Sequence, residues 1–403
     1  MRIARIDLEE FRCYRRASIA MPPAGLRIFG HNASGKTSLL EAVYLLATMR
    51  SPRASLEREM INWESAAEFA LPPYARVRAV VVDDGGEHEL EVVLAVDESR
   101  PQGNVVRKRV KVDGRARRAL DVVGTLKVVL FAPEDLSLVL GSPGGRRRYL
   151  DISISQIDRT YLQALSHYGR VVEQRNSLLK ELARHARAES AAIDEQLAFW
   201  DGEAISRGSY LVAARLRYLS QLERRATQDF DALARTDAVL ELRYAGSITL
   251  PVALLERVLG ASLADAQALV ARAFEHELRQ LRGDELRRGV TLAGPHRDDV
   301  RFVLGGRDLA SYGSRGQQRL AVVATKLAEQ QEVVEASGER PVLLLDDVLS
   351  ELDPEHQERL LAALGDAQCQ LVVTATDRAL IDRPVLEGLP LVEARSGELV
   401  PAR

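Results

Sequence analysis

The sequence predicts an α/β fold in which a mixed sheet with helices is divided by a helical arm. Short apolar runs typical of buried strands occur near both ends of the 403-residue chain. A strand, a glycine-containing loop and a helix follow one another at residues 26–46, whereas residues 155–288 carry apolar side chains at helical spacing. We therefore predict a first lobe at residues 1–154, an antiparallel helical insertion at residues 155–288, and a second lobe at residues 289–403.

The composition indicates a water-soluble globular protein, with 46% hydrophobic and 28% charged residues. No apolar run reaches the ~18 residues of a membrane span, and the N-terminus lacks the apolar core of a signal peptide. Cys13 and Cys369 form neither a metal-binding pair nor a disulfide framework, so we interpret both as buried thiols of a cytoplasmic protein. Because the formal net charge is -3, any nucleic-acid binding requires local basic patches.

The first lobe contains a phosphate-binding motif. Residues 26–29 predict a short buried strand, residues 38–46 predict a helix, and the residues between them fit G-x-x-x-x-G-K-[ST]. Glycines let successive N–H groups point at phosphates, and the helix N-terminus adds partial positive charge. The predicted nucleotide-binding residues are Gly30, His31, Asn32, Ala33, Ser34, Gly35, Lys36, Thr37 and Ser38.

Three side chains near this loop have their own interpretations. Lys36 is expected to reach the β- and γ-phosphates, and the Thr37 hydroxyl is expected to ligate Mg²⁺. Arg12 lies ahead of the loop, between the aromatic residues Phe11 and Tyr14. It either contacts a nucleotide phosphate or is a solvated arginine, and the sequence favours neither interpretation.

Two basic segments follow the first helix. Residues 75–96 predict a hairpin, and residues 105–115 predict a second hairpin with a charged strand. That strand is either a solvated edge strand, which is the more common case, or a surface that contacts DNA phosphates. Three consecutive arginines then stand at a helix start, where cations oppose the helix dipole, so we favour contact with an anion. The candidate DNA contacts are Arg107, Lys108, Arg109, Lys111, Arg146, Arg147 and Arg148.

The arm consists of two predicted helices, one ending near Ala183 and one running from about Ala192 to Leu233. Two such segments back to back indicate an antiparallel pair. Segments of about 30–40 residues give a length of only ~45–60 Å. Ser262 marks the start of a further helix.

The second lobe carries acidic residues after a buried strand. Residues 341–345 are apolar and end in Asp346 and Asp347, an arrangement in which one carboxylate holds Mg²⁺ beside a phosphate loop. A separate polar turn places His296 beside Arg297 and two carboxylates. That histidine is either a metal or acid–base residue or a hydrogen-bonded hinge, and we prefer the hinge. A helix start that suits an anion is formed by Ser314, Arg315, Gly316 and Gln317.

In this order the motifs resemble those of the ABC-type ATPases, and in particular the heads of the SMC and Rad50 DNA-repair proteins. The sequence more closely resembles the RecF family of bacterial recombination mediators. The resemblance covers nearly the whole chain, and its most discriminating part is the string at residues 294–299. The other matching segments are residues 11–14, 30–37, 131–136, 141–143, 146–147, 150–151 and 313–319.

The resemblance implies an ATP-dependent homodimer. In ABC-type ATPases, ATP is sandwiched between the phosphate loop of one head and the Ser-x-Gly-Gln segment of the other. By this resemblance the implied catalytic residues are Lys36, Ser314 and Asp347, and the implied Mg²⁺ ligands are Thr37 and Asp346. The further nucleotide contacts that it implies are Arg315, Gly316, Gln317 and Asp353. Of these, Asp353 is expected at the dimer seam.

Three positions depart from the ABC-type pattern. Asp347 stands where many of these enzymes have Glu, so we expect a weak, DNA-stimulated ATPase that acts as a dimerisation switch. Glu134 replaces the usual glutamine, and Thr374 or Thr376 lies where a switch histidine is expected.

The resemblance further implies a role in DNA replication, recombinational repair and the SOS response to DNA damage. It implies binding to double-stranded and gapped DNA, partnership with RecR and RecO, and assistance to RecA loading. Two other functions share some of these motifs. ATP-binding subunits of ABC transporters are shorter and lack such an arm, and SMC-type DNA tethers need arms of hundreds of residues.

Overall fold

The computed structural model describes residues 1–65, 72–97, 105–184, 190–395 and 397–402. The chain forms two units, the first made of residues 1–136, 228–236 and 315–403 and the second of residues 137–227 and 237–314. These divisions lie elsewhere than the predicted boundaries at 154/155 and 288/289. The reason is that Arg146 and Arg215 bond into the turn at 294–299, which draws both flanking segments into the second unit. The three-segment division stays a prediction about domains.

The strands, in chain order, are β1 (Arg2–Phe11), β2 (Tyr14–Ala20), β3 (Gly25–Phe29), β4 (Tyr74–Asp83), β5 (Gly86–Val96), β6 (Val106–Val112), β7 (Arg115–Arg117), β8 (Val128–Phe131), β9 (Leu240–Ala245), β10 (Asp299–Leu304), β11 (Arg307–Asp308), β12 (Val342–Asp346), β13 (Leu371–Ala375), β14 (Leu391–Arg395) and β15 (Glu398–Pro401). The helices are α1 (Lys36–Thr48), α2 (Ala119–Val122), α3 (Ser137–Leu140), α4 (Pro143–Ile157), α5 (Arg159–Arg184), α6 (Ser190–Ala234), α7 (Val252–Gly260), α8 (Leu263–Arg288), α9 (Leu309–Tyr312), α10 (Arg315–Ser337), α11 (Pro354–Asp366) and α12 (Arg378–Ile381).

Two sheets form the framework of the first unit. One is antiparallel with strand order β2-β1-β4-β5-β6-β7. The other has the order β15-β14-β3-β13-β12-β8, and every neighbouring pair in it except β14–β15 is parallel. Both predicted hairpins are confirmed as β4–β5 and β6–β7. The second turns at Asp113 and Gly114, whose φ angles of 50° and 73° suit a tight hairpin turn.

Helix α1 lies between these two sheets. It contacts β1 and β4 of the antiparallel sheet, and β8, β12 and β13 of the parallel one. Leu39, Val43, Leu45 and Leu46 are fully buried, so this helix is apolar on nearly all sides rather than along one stripe. Burial between the sheets fixes the helix and therefore the position of the loop that precedes it.

Helix α5 and the part of α6 that belongs to the second unit, residues 190–227, are antiparallel, as predicted. Arg175 of α5 bonds to Asp201 of α6 at 2.8 Å, and Arg215 of α6 bonds to the Tyr161 hydroxyl of α5 at 2.8 Å. Because the later residue of α6 contacts the earlier residue of α5, the two helices run in opposite directions. Ser262 accepts a 3.2 Å hydrogen bond from the Asp265 N–H, which confirms the predicted start of α8.

The two cysteines differ from the prediction. Cys13 and Cys369 are both free thiols, and each is half-buried instead of fully buried. Burial nevertheless raises the pKa of both thiols, and that of Cys369 reaches about 11. Neither is therefore a reactive thiolate at neutral pH.

Candidate nucleotide-binding site

The phosphate-binding loop lies between β3 and α1, as predicted. Gly35 ends the loop with a φ of 110°, in the left-handed region that favours glycine. A Cβ atom on Gly35 would lie 2.8 Å from the hydroxyl oxygen of Tyr14. That hydroxyl donates a 2.9 Å hydrogen bond to the Gly35 carbonyl oxygen. The close approach of Tyr14 and the backbone angle together require glycine at this position.

Two polar groups of the loop are suited to an anion. The Lys36 ammonium donates to the carbonyl oxygens of Gly30 at 2.5 Å and His31 at 2.9 Å. Burial lowers the pKa of Lys36. The Ser34 hydroxyl is buried and has no hydrogen-bond partner among the described residues. A partly buried cation and an unsatisfied hydroxyl in one loop fit the oxygens of a phosphate chain.

Thr37 and Asp346 meet at the carboxyl edge of the parallel sheet. The Thr37 hydroxyl donates to Asp346 Oδ1 at 2.9 Å, and the Thr374 hydroxyl donates to the same oxygen at 3.1 Å. Burial raises the pKa of Asp346. A hydroxyl beside a buried carboxylate supplies oxygen ligands of the kind that Mg²⁺ prefers when it also binds substrate phosphates. Across the described ranges no cluster of three or more His, Cys, Asp or Glu side chains offers a separate metal cage.

Asp347 lies next to this pair in a left-handed conformation, with φ of 52°. Its N–H lies 3.1 Å from the Thr374 hydroxyl oxygen, and its carboxylate accepts the Thr376 N–H at 3.2 Å. These bonds aim the carboxylate into the site. Thr376, just after β13, borders the cleft. Thr374, within β13, is fully buried. Glu134 is exposed and pairs with Arg53 at 3.3 Å.

The loop and the acidic strand end border one open cleft with a volume of about 520 Å³. Gly30 and His31 are not among its walls, and their carbonyl oxygens accept hydrogen bonds from Lys36. The predicted residues that line it are Arg12, Asn32, Ala33, Ser34, Gly35, Lys36, Thr37, Ser38, Asp346 and Asp347. Sequence reasoning missed further wall residues that no motif signals, because only the fold brings their segments to the loop: Cys13, Arg53, Glu59, Ile61 and Trp63.

Arg12 is paired within the chain and is not a solvated arginine, whereas its contact with a nucleotide phosphate stays a prediction. Its Nε and Nη2 donate to the Glu41 carboxylate at 2.8 and 2.7 Å, and its Nη1 donates to the Glu59 carbonyl oxygen at 2.5 Å. The side chain borders the cleft, but its guanidinium joins α1 to the segment after it. Arg12 is thus a structural link at the rim of the site.

The residues at the start of α10 lie outside this cleft. Arg315, Gly316 and Gln317 are exposed, as is Ser314 just before the helix, and none of them is a wall residue of the cleft in the described chain. Asp353 caps α11 by accepting the His356 N–H at 3.1 Å, and this backbone bond is the main cause of its lowered pKa. Its place at the dimer seam stays a prediction.

The basic side chains of β6 are largely paired within the first unit. Arg107 and Lys111 bond to acidic side chains at 2.8 and 2.7 Å, and Lys108 donates to a backbone carbonyl oxygen at 2.7 Å. Arg109 is exposed, and within the described residues no hydrogen bond or ion pair holds its side chain. The positive charge of this strand is therefore partly neutralised, and Arg109 is its most available cation.

The three arginines of α4 have different environments. Arg146 forms a two-point ion pair with Asp299, at 2.7 and 2.9 Å, and also donates to the Gly141 carbonyl oxygen at 2.7 Å. Arg147 donates to the Asp298 carbonyl oxygen at 2.7 Å. These two side chains hold the turn before β10, which differs from the anion contact that we favoured for them. Arg148 is exposed.

The string at residues 294–299 is the polar centre of the second unit. The Asp298 carboxylate accepts bonds from the Tyr244 hydroxyl at 2.5 Å and from the Ser247 N–H at 2.7 Å. His296 Nδ1 lies 2.8 Å from the Tyr168 hydroxyl oxygen, and burial lowers the pKa of His296 to about 4. This histidine is a hydrogen-bonded structural residue, in keeping with the hinge interpretation.

A glycine-containing loop between a strand and a helix, with an acidic strand end beside it, defines a P-loop nucleotide-binding protein. Residues 2–386 match the family described as the RecF/RecN/SMC N terminal domain. A DNA replication and repair protein RecF from Thermomicrobium roseum is 50% identical and covers 100% of both chains. One from Chloroflexus aurantiacus is 44% identical over 94% of each. The chain therefore belongs to the RecF family.

A solved RecF structure agrees with this assignment, and a solved Smc head shares the fold. The recombination mediator protein RecF-ATP in the RecFOR pathway has a TM-score of 0.83 at 27% identity, covering 100% of this chain and 97% of its own. An Smc head bound to the C-winged helix domain of ScpA has a TM-score of 0.53 at 16% identity, covering 100% and 98%. The predicted fold, an ATPase head divided by a long helical insertion, is confirmed. Among the described helices, none is long and apolar enough to cross a membrane.

Proposed function

We propose that this protein is an ATP-dependent, dimerising, DNA-binding ATPase of DNA replication and recombinational repair. The observation that carries the proposal is the cleft where Lys36, Thr37 and Asp346 meet at the phosphate-binding loop. The relatives named DNA replication and repair protein RecF, which match along the whole chain, support it. So does the solved relative named RecF-ATP.

Four side chains of the cleft have proposed tasks in ATP hydrolysis. Lys36 exchanges two loop carbonyl oxygens for oxygens of the β- and γ-phosphates, which are stronger partners for a cation. Thr37 and Asp346 hold Mg²⁺, which neutralises charge on the phosphates during transfer. Asp347 orients the attacking water. Because its side chain is one methylene shorter than that of glutamate, we expect weak ATP hydrolysis, stimulated by DNA.

A second copy completes the proposed site. Ser314, Arg315 and Gly316 are exposed at the start of α10 and do not border the cleft of their own chain. The start of a helix suits a γ-phosphate held by another copy. ATP then joins two copies, and its hydrolysis releases them. Gln317 and Asp353 are assigned to the same seam.

The proposed dimer binds double-stranded DNA at single-strand gaps and, with RecR and RecO, assists RecA loading in repair and SOS induction. Support comes from the names of the relatives, which place RecF proteins in DNA replication and repair and in the RecFOR pathway. Of the candidate DNA contacts, Arg109 and Arg148 are exposed, whereas Arg146 is committed to Asp299. We propose a cytoplasmic location, in keeping with the absence of a membrane-spanning helix among the described residues.

The alternative functions are less well supported. A transporter subunit does not account for the full-length match to RecF proteins or for the two long helices α5 and α6. An SMC-type tether needs far longer arms, since α6 with its 45 residues extends only about 68 Å.

Sedimentation of the protein with Mg-ATP, with and without duplex DNA, tests the proposal. We expect the mass to double with Mg-ATP. Lys36→Ala is expected to remain a monomer because it loses the phosphate cation, and Asp347→Asn to remain a dimer because it cannot complete hydrolysis. A wild-type chain that stays monomeric at every concentration with Mg-ATP and DNA would contradict the proposal.

A further inference from the structure

Trp63 is the largest exposed apolar side chain at the nucleotide cleft. It is 87% exposed, although tryptophan is one of the more buried residues on average. It lies in the wall of the cleft together with the phosphate-binding loop. None of the tasks proposed for ATP hydrolysis uses this ring.

The backbone around Trp63 is held firmly although its ring is exposed. The Asn62 N–H donates to the Glu10 carbonyl oxygen at 2.8 Å, and the Asn62 side-chain oxygen accepts the Glu64 N–H at 2.8 Å. Ile61 pairs with Phe11 at the end of β1. The segment therefore presents the indole ring from a fixed position.

Arg12 attaches this segment to the helix that follows the loop. Its guanidinium bonds to Glu41 of α1 and to the Glu59 carbonyl oxygen, and its N–H donates to the Met60 carbonyl oxygen at 2.9 Å. The position of Trp63 is thus fixed relative to α1, the helix that begins at Lys36.

The wall of the cleft combines two chemically different surfaces. Lys36, Thr37 and Asp346 supply charge and hydrogen bonds for phosphates, whereas Ile61 and Trp63 supply apolar surface. A nucleoside triphosphate combines the same two features, a charged phosphate chain and a flat base. We propose that Trp63 is the stacking surface for the nucleotide base, a role that rests on the proposed ATP site.

Stacking on an aromatic ring recognises the flat face that every base has. Trp63 therefore distinguishes nucleotides from inorganic polyphosphate, but it distinguishes poorly between ATP and GTP. The phosphate-binding loop supplies affinity for the phosphate chain in both cases.

Intrinsic fluorescence gives a direct test, because the chain has only two tryptophans, Trp63 and Trp200. A Trp200→Phe background leaves Trp63 as the single reporter. We expect Mg-ADP and Mg-ATP to quench its emission, and magnesium tripolyphosphate to bind without quenching. ADP lacks the γ-phosphate that joins two copies, so its quenching reports the base and not dimerisation.

Affinity measurements distinguish the loss of base stacking from a general loss of structure at the site. Trp63→Ala is expected to weaken ATP and ADP binding roughly tenfold or more while leaving tripolyphosphate binding unchanged, and Trp63→Phe to retain most of the ATP affinity. Equal quenching by tripolyphosphate, or unchanged ATP affinity in Trp63→Ala, would overturn the stacking role alone. A parent protein that binds neither ATP nor tripolyphosphate would instead overturn the proposed ATP site.

Discussion

Asp346 is a buried carboxylate whose direct hydrogen-bond donors are hydroxyls. Thr37 and Thr374 each bond to its Oδ1, and burial raises the pKa of the carboxyl group. A raised pKa means that the folded chain binds this proton more tightly than the unfolded chain does. Stability from this group is therefore lost as pH rises through the two pKa values, and a bound cation offsets that loss.

Asp346→Asn is therefore expected to raise the free energy of unfolding of the nucleotide-free protein at neutral pH, while abolishing Mg²⁺-dependent ATP hydrolysis. Thermal unfolding with and without Mg-ATP measures both effects. The parent should gain stability from Mg-ATP, and the variant should gain much less. A variant less stable than its parent without nucleotide would show that Asp346 has a favourable structural role.

His296 gives a second prediction, which concerns pH. Its pKa falls from 6.5 to about 4 through burial, so the unfolded chain binds its proton first as pH falls. The contribution is fully present above pH 6.5 and is lost between pH 6.5 and about 4, to a total on the order of 3 kcal/mol. In denaturant unfolding at pH 7 and 4.5, His296→Gln should lose less stability than the parent. Equal losses would contradict a neutral buried histidine.

At the scale of elements, α4 is attached to the start of β10 by one ion pair. Arg146 and Asp299 are both mostly buried, with side-chain exposures of 12% and 20%. Removal of Arg146 leaves a carboxylate without its two-point partner, so Arg146→Ala should cost about 2–3 kcal/mol of unfolding free energy. Urea unfolding measures this value. A change below about 0.5 kcal/mol would contradict the structural role.

Arg109 of strand β6 is the exposed counterpart of the mostly buried Arg146. Its side chain is exposed and unpaired within the described residues, so Arg109→Ala should change stability by less than about 0.5 kcal/mol. If it contacts a DNA phosphate, DNA binding should weaken at all sequences, and the slope of log affinity against log salt should fall by about 0.9. DNA titrations at several salt concentrations test this. An unchanged salt slope would remove β6 from the DNA surface.

At the scale of the whole molecule, the proposed dimer predicts complementation between two inactive variants. Lys36→Ala removes the phosphate cation, and Ser314→Arg blocks the segment that faces the partner's nucleotide. A mixed dimer contains one site in which both residues are intact. Since neither variant is expected to pair with itself, the dimers that form are mixed, and an equal mixture should recover at most about half of the parent ATPase activity.

Each variant alone is the control for this experiment, and each should be inactive. Restored activity requires that one site draws on two copies. No recovery at concentrations where the parent dimerises would show that each copy hydrolyses ATP with its own residues.

The sequence by itself determined the parts of this protein that depend on neighbouring residues. The loop ending in Lys36 and Thr37, the acidic end of β12, both hairpins and the cap at Ser262 were all predicted, because glycine placement, apolar runs and capping are local. These local patterns were also sufficient to predict the divided α/β fold.

Only the tertiary structure decided which distant groups meet. It paired Arg12 with Glu41, committed Arg146 to Asp299, drew residues 294–299 into the second unit, and placed Trp63 beside the nucleotide loop. An arginine in a sequence has no visible partner, since its contacts depend on strand order and helix packing far along the chain. A run of charged residues therefore predicts poorly which partners its side chains contact. A contiguous loop motif predicts its local structure well, because the residues that determine that structure are neighbours in the sequence.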